Sequence, residues 1–202
     1  MRKEDFKDKA IGFIKKWWCS LLLLPFIYYT LHQIYWALRF NIHFAVNYNY
    51  PFPLNIFYFL IDNFLLIVHE AGHTFFSLFG VRFITILGGS LFQIILPLLI
   101  LLYTWVNRKK IGMQLSLFLV GISWLDVAGY AADAGRRQLP LIGGLSKEAH
   151  DWYNMLYQLD MLEYDLTIGI IFVGIAIICY LLAIFIPVLV RDYKQVKLNL
   201  NI

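Results

Sequence analysis

Phe59-Leu60-Ile61-Asp62-Asn63-Phe64-Leu65-Leu66-Ile67-Val68-His69-Glu70-Ala71-Gly72-His73-Thr74-Phe75-Phe76 decides how this chain is read. It sits in an apolar stretch over about residues 54–79. At about 1.5 Å rise per residue, a helix of that length crosses a hydrocarbon core of roughly 30 Å. Inside it, His69-Glu70-Ala71-Gly72-His73 is an H-E-x-x-H pattern. Histidines four apart on a helix project from one face, so both imidazoles can bind one Zn²⁺. The glutamate between them can serve as general base. Ionisable groups are costly in a membrane and face a bundle interior or a wet cavity. The motif therefore predicts Zn²⁺ as cofactor, His69 and His73 as ligands and Glu70 as the catalytic residue.

The rest of the chain has the same character. Of its 202 residues 60% are hydrophobic and only 15% charged, with a mean hydropathy of +0.66. Soluble domains carry about a quarter charged residues. Five apolar runs read as spans, at about residues 17–40, 54–79, 83–106, 111–132 and 166–190. The fold class is therefore an all-α polytopic membrane protein, with residues 1–202 forming one membrane-embedded domain. Trp17, Trp18, Tyr28, Tyr29, Tyr48, Tyr50, Tyr103 and Trp105 fall where interfaces are expected. The apolar run after the basic N-terminus has no A-x-A-like site and reads as an uncleaved first span. Cys19 and Cys179 form no CxxC and suggest no disulfide framework. The net charge of +4 is spread over the N-terminus and short loops, which suits a lipid bilayer and excludes a nucleic-acid face.

Residues 81–90, Val-Arg-Phe-Ile-Thr-Ile-Leu-Gly-Gly-Ser, are rich in β-branched side chains. They read equally as the start of the third helix or as a short strand or re-entrant hairpin. Between the fourth and fifth spans lies the longest polar stretch, about residues 133–165. Ser146 is a helix-capping residue there, with Glu148 and Asp151 in the first turn. Trp152, Met155, Leu156, Leu159 and Leu162 recur at helical spacing, which predicts an amphipathic helix on the membrane surface or against the bundle. Arg2, Lys3, Lys7, Lys9, Lys15 and Lys16 argue for a cytoplasmic N-terminus.

Zinc at a catalytic site takes a third protein ligand and keeps one position open. The candidates are Asp126, Asp133, His150, Asp151, Asp62, His32 and His43. His69 and Asp126 each lie about fifteen residues into parallel spans, roughly 22 Å from their starts. Depth therefore ranks Asp126 first. Asp133, seven residues later on the same face, comes next, and His150, on a loop at the same membrane side, third. Asp62 suits a hydrogen bond around the site, and His32 and His43 suit structural roles.

The H-E-A-G-H of residues 69–73 with the later Leu125-Asp126 resembles the site-2-protease family of intramembrane zinc metalloproteases. That family pairs H-E-x-x-H on one helix with L-D-G on a later one, whose aspartate is the third ligand. Here Val127-Ala128-Gly129 follows Asp126, and Gly121-Ile122-Ser123-Trp124 replaces the family's usual Asn and Pro. More of the chain is similar to a compact bacterial branch of such metallopeptidases, through Gly88-Gly89-Ser90-Leu91-Phe92-Gln93, Tyr130-Ala131-Ala132-Asp133-Ala134, Leu139-Pro140-Leu141-Ile142-Gly143-Gly144 and His150-Asp151-Trp152. With the zinc motif these cover about residues 65–155. The resemblance implies a β-hairpin near residues 81–87, Gln93 as a substrate-binding residue, and a bacterial inner-membrane location; an interhelical hydrogen bond suits Gln93 equally. It also implies a transmembrane or membrane-proximal peptide as substrate, and Asp126 as third ligand with Asp133 and His150 as alternatives. The same zinc chemistry also serves a lipid hydrolase, and the same bundle an inactive scaffold.

Overall fold

A computed structural model describes residues 3–40 and 50–190 of the chain. His43, Tyr48, and the basic residues Arg2, Arg191, Lys194 and Lys197 lie outside the described residues. Among the described residues six α-helices form: α1 Lys3–Phe40, α2 Leu54–Ser77, α3 Arg82–Val106, α4 Lys110–Ala132, α5 Asp151–Gln158 and α6 Asp165–Leu189. Five of them, all but α5, are long and apolar enough to cross a membrane. Helix α1 begins well before residue 17, because the Lys, Glu, Asp and Ala of the N-terminal segment continue a helix without interruption.

Helix α4 is the axis of the bundle. Two-thirds of its most apolar window (67%) is buried, against 22–33% for the other four spans. It packs on α6, α3 and α1, while α2 packs on α3. Its sequence explains the position: Gly121, Ser123, Ala128 and Ala131 are small and buried, so neighbouring helices come close. Leu23, Leu65, Phe118 and Tyr180 meet in the larger core cluster. A second cluster joins Val127 and Ala131 of α4 to Trp152, Met155 and Leu156 of α5. The outward faces of α1, α2 and α6 carry exposed Phe, Leu and Ile, as a lipid-facing surface does.

Two expectations are corrected here. Among the described residues there is no strand, and no hairpin occurs at 81–87: these residues belong to α3, which starts at Arg82 with Val81 as its cap. The backbone groups of a lone strand in a membrane have no partners, whereas a helix satisfies its own. The helix expected after Ser146 starts at Asp151 instead. The imidazole of His150 caps it by accepting the Tyr153 N–H, and Ser146 makes no side-chain cap. Trp152, Met155 and Leu156 are buried, so α5 packs into the bundle rather than lying on a surface.

The contact between α2 and α3 is unusually close. A Cβ on Gly72 would lie 2.3 Å from the Gly88 carbonyl oxygen and 2.7 Å from Phe92 Cβ. Neither atom is the mobile end of a side chain, so Gly72→Ala must push the two helices apart. Overpacking of this kind costs about 1–3 kcal/mol and outweighs the roughly 1 kcal/mol gained in helix propensity. A thermal melt in detergent should show the variant destabilised; an unchanged or higher Tm would contradict this contact.

Candidate metal centre

The backbone approach of α2 and α3 sets up the site. His69 and His73, one turn apart, face α3, and their rings meet at 4.7 Å between centroids. Each ring is held by its Nδ1. His73 Nδ1 lies 2.9 Å from the Thr85 carbonyl oxygen, which only accepts, so this nitrogen carries a proton. His69 Nδ1 lies 3.1 Å from Gln93 Oε1. The other end of that amide, Nε2, donates a short hydrogen bond to Asp126 Oδ2. Gln93 Oε1 is therefore an acceptor, and His69 Nδ1 is protonated too. Both Nε2 atoms are left to face a common point.

Asp151 supplies the third atom at that point. Its Oδ2 is 3.0 Å from His69 Nε2 and 3.1 Å from His73 Nε2. These three residues are the group whose donor atoms converge closely enough to hold a metal ion. Asp151 is held by three contacts. Its backbone N–H donates to the Tyr130 hydroxyl at 3.0 Å, and that hydroxyl lies 3.4 Å from Oδ2. The next residue, Trp152, donates its indole N–H to Ser90 Oγ at 3.0 Å, which fixes α5 against α3. Burial disfavours the Asp151 carboxylate, but the two imidazoles beside it outweigh that and bring the pKa down to about 2.

The residues fit a zinc ion. Four ligands at about 2.0–2.1 Å in a tetrahedron sit roughly 3.3 Å apart, a few tenths of an ångström wider than the 3.0 and 3.1 Å between Asp151 Oδ2 and the two imidazole nitrogens. The space in front of the two Nε2 atoms is kept open by a glycine. A Cβ on Gly89 would lie 2.6 Å from both His69 Nε2 and His73 Nε2. With both Nδ1 atoms committed as donors, the three converging atoms are all lone-pair sites unless a cation lies among them. Protons on Nε2 can fill that role, and a divalent metal can replace them.

The sequence-predicted residues divide clearly. His69 and His73 sit at the centre, and Glu70 lines the same cavity. Asp126 does not converge with them. It has the right depth, but Gln93 stands between it and His69. Gln93 itself is 2% exposed, lines the same cavity and bonds the His69 ring across the α2–α3 interface. Asp133 and His150 form a buried pair beside the centre, with His150 Nε2 3.4 Å from Asp133 Oδ2. Burial lowers the His150 pKa against the pull of Asp133, and the ring's Nδ1 accepts the Tyr153 N–H. Asp133 also accepts the backbone N–H groups of Gln138 and Leu139 at 3.0 and 2.8 Å. One carboxylate thus ties both ends of the 138–150 loop, and that loop delivers Asp151. His32 bonds Trp36 on α1, away from the site. Asp62 lines the cavity wall. Asp151 stood among the seven candidates without a rank. Gly89, Thr85 and Tyr130 were not predicted as site residues, and only Gly-Gly within an apolar run hinted at one of them.

Asp133→Ala should be severely destabilising. It leaves two backbone N–H groups without their acceptor, at about 1–3 kcal/mol for each buried donor, and removes the carboxylate that lies 3.4 Å from His150 Nε2. A melt of the metal-free protein checks this, and a loss under about 1 kcal/mol would contradict the anchoring role.

The centre opens into a cavity of about 690 Å³ between α2, α3, α4 and the 139–151 segment. Its walls combine Leu66, Leu125, Leu139, Pro140 and Leu141 with the polar groups of the site. That size and mixture suit a substrate segment rather than water alone. Comparisons with protein-family models, with characterised proteins and with solved structures give no match to this chain.

Proposed function

We propose that this chain is a membrane-embedded zinc metalloendopeptidase of the site-2-protease type, acting on transmembrane or membrane-proximal peptide segments. The observation that carries the reading is the convergence of His69 Nε2, His73 Nε2 and Asp151 Oδ2 in a cavity that Glu70 also lines. A bound zinc ion supplies Lewis-acid polarisation and acidifies water. His69, His73 and Asp151 hold the ion. Glu70 accepts the proton of the attacking water and returns it to the leaving amine. The apolar cavity wall limits bulk water around the scissile bond. In this reading the third ligand comes from the start of α5, not from the Leu125-Asp126 of the family pattern.

The cavity lining favours a peptide over a phospholipid in this reading. Its charged residues besides the histidines are Asp62, Glu70, Asp126 and Asp151, and among the described residues it has no Lys or Arg to receive a phosphate. A peptide backbone needs no such cation. With the N-terminus in the cytoplasm, five crossings put the loop between α4 and α6, and the metal centre beneath it, at the cytoplasmic side of a bacterial inner membrane.

Glu70→Gln tests the mechanism. The variant should keep its zinc and lose about 10²–10⁴-fold in peptide cleavage. Wild-type cleavage by this variant would sink the assignment of Glu70. Phospholipid turnover by the wild type, with no cleavage of membrane peptides, would instead favour the lipid hydrolase. Zinc uptake should also compete with protons on the two Nε2 atoms. Affinity measured against a chelator of known pH dependence should fall as the pH falls, because the ligating nitrogens must give up their protons, and a flat profile would contradict ligation by the histidines.

A further inference from the structure

Asp126 is a carboxylate inside an apolar bundle that no metal ligand role explains. Its contact is with Gln93, and Gln93 is the partner of His69. A glutamine amide has two faces of opposite character: an oxygen that accepts and a nitrogen that donates. Gln93 is 2% exposed, so bulk water does not choose its orientation. Flipped by half a turn, it would present N–H to His69 Nδ1, strip the proton from that atom and move it to Nε2, where the metal must bind. His73 has no such ambiguity, because its partner is a backbone carbonyl. The orientation of Gln93 is set at its far end. Asp126 Oδ2 accepts from Nε2, so Oε1 has to face His69.

We propose that Asp126, acting through Gln93, is a positioning residue for the metal ligand His69: the row Asp126–Gln93–His69 keeps the proton on Nδ1 and the Nε2 lone pair toward the ion. The inference rests on the metal reading given above. The row draws one residue from each of α4, α3 and α2, so it also registers the three helices that enclose the cavity. Partners of metal-bound histidines act in this way by fixing tautomer and ring orientation, and their loss typically costs 10–100-fold in metal affinity.

A charge relocation tests the row. In the double variant Gln93→Glu/Asp126→Asn, the glutamate accepts from His69 Nδ1–H on one oxygen and from the asparagine amide on the other. Every donor and acceptor is kept, and the carboxylate moves one place closer to the ring. Gln93→Glu alone sets two carboxylates against each other, and Asp126→Leu frees the amide to flip. Zn²⁺ dissociation constants of the full-length protein in detergent, by chelator competition, are the readout, with Co²⁺ absorption reporting ligand geometry. Each single variant should bind Zn²⁺ about 10–100-fold more weakly, and the double variant should return to within a few-fold of wild type. Melting of the metal-free proteins separates this from a general loss of fold. Wild-type affinity in Asp126→Leu, or a double variant no better than Gln93→Glu, would overturn the row alone. Failure of the wild type itself to take up Zn²⁺ would overturn the metal reading and the row with it.

Discussion

Asp151→Ala should leave the bundle folded and empty of zinc. The substitution removes Oδ2, the atom 3.0 and 3.1 Å from the two imidazole nitrogens. Two histidines alone are a weak site, since zinc centres keep at least three protein ligands. The loss should exceed the 10–100-fold expected for a residue acting on a ligand from outside, and so exceed that of Asp126→Leu. The fold should survive. Alanine continues a helix well, the backbone N–H of residue 151 keeps its bond to the Tyr130 hydroxyl, and Trp152 stays anchored on Ser90. The lost acidic residue in the first turn of α5 costs about 0.3–1 kcal/mol. Metal content after gentle purification, with a chelator titration, decides the matter. If Asp151→Ala retains zinc at wild-type affinity while Asp126→Leu does not, the third ligand belongs to α4 after all.

Gly89→Ala should do the same from the opposite side. The new methyl group would sit 2.6 Å from both Nε2 atoms, in the volume that an ion about 2.0–2.1 Å from each nitrogen needs. The histidine tips can swing away, because they are ends of side chains. The metal-free protein therefore folds, and an alanine in place of glycine favours the helix by up to about 1 kcal/mol. A swing breaks the hydrogen bonds to Thr85 and Gln93 and spreads the ligands. The lost hydrogen bonds oppose the gain in helix propensity, so the expected pattern is a metal-free protein that still folds cooperatively with a Tm at or somewhat below wild type, and Zn²⁺ affinity down by more than about 100-fold, beyond the range of outer contacts. Wild-type zinc binding by this variant would mean that the ion lies elsewhere.

These two positions show where sequence and structure part. His69, Glu70 and His73 were legible because their spacing is a local property. A helix repeats every 3.6 residues whatever surrounds it, so an i, i+4 pair shares a face before any packing is known. The five spans were legible for a similar reason: length and hydropathy are set against the thickness of a bilayer. Residues 81–90 read equally as helix or strand because β-branched residues only bias a segment, and the self-satisfied helix prevails where strand partners are lacking.

The proposed third ligand is a different kind of reading. Asp126 and His69 do lie at matching depth, as counting along parallel helices predicts. Depth leaves rotation about the helix axis and the interposed Gln93 undetermined. Asp151 is separated from His73 by 78 positions. It reaches the metal centre only because Asp133 ties down both ends of the 138–150 loop and Trp152 docks on Ser90. The sequence by itself determined a helical membrane bundle and a histidine pair with its glutamate, since both follow from periodicity and hydropathy. Only the tertiary structure decided which carboxylate closes the site and which glycine leaves it open. Those depend on how close α2, α3 and α5 approach, and that distance is set by packing across the bundle rather than by any local run of residues.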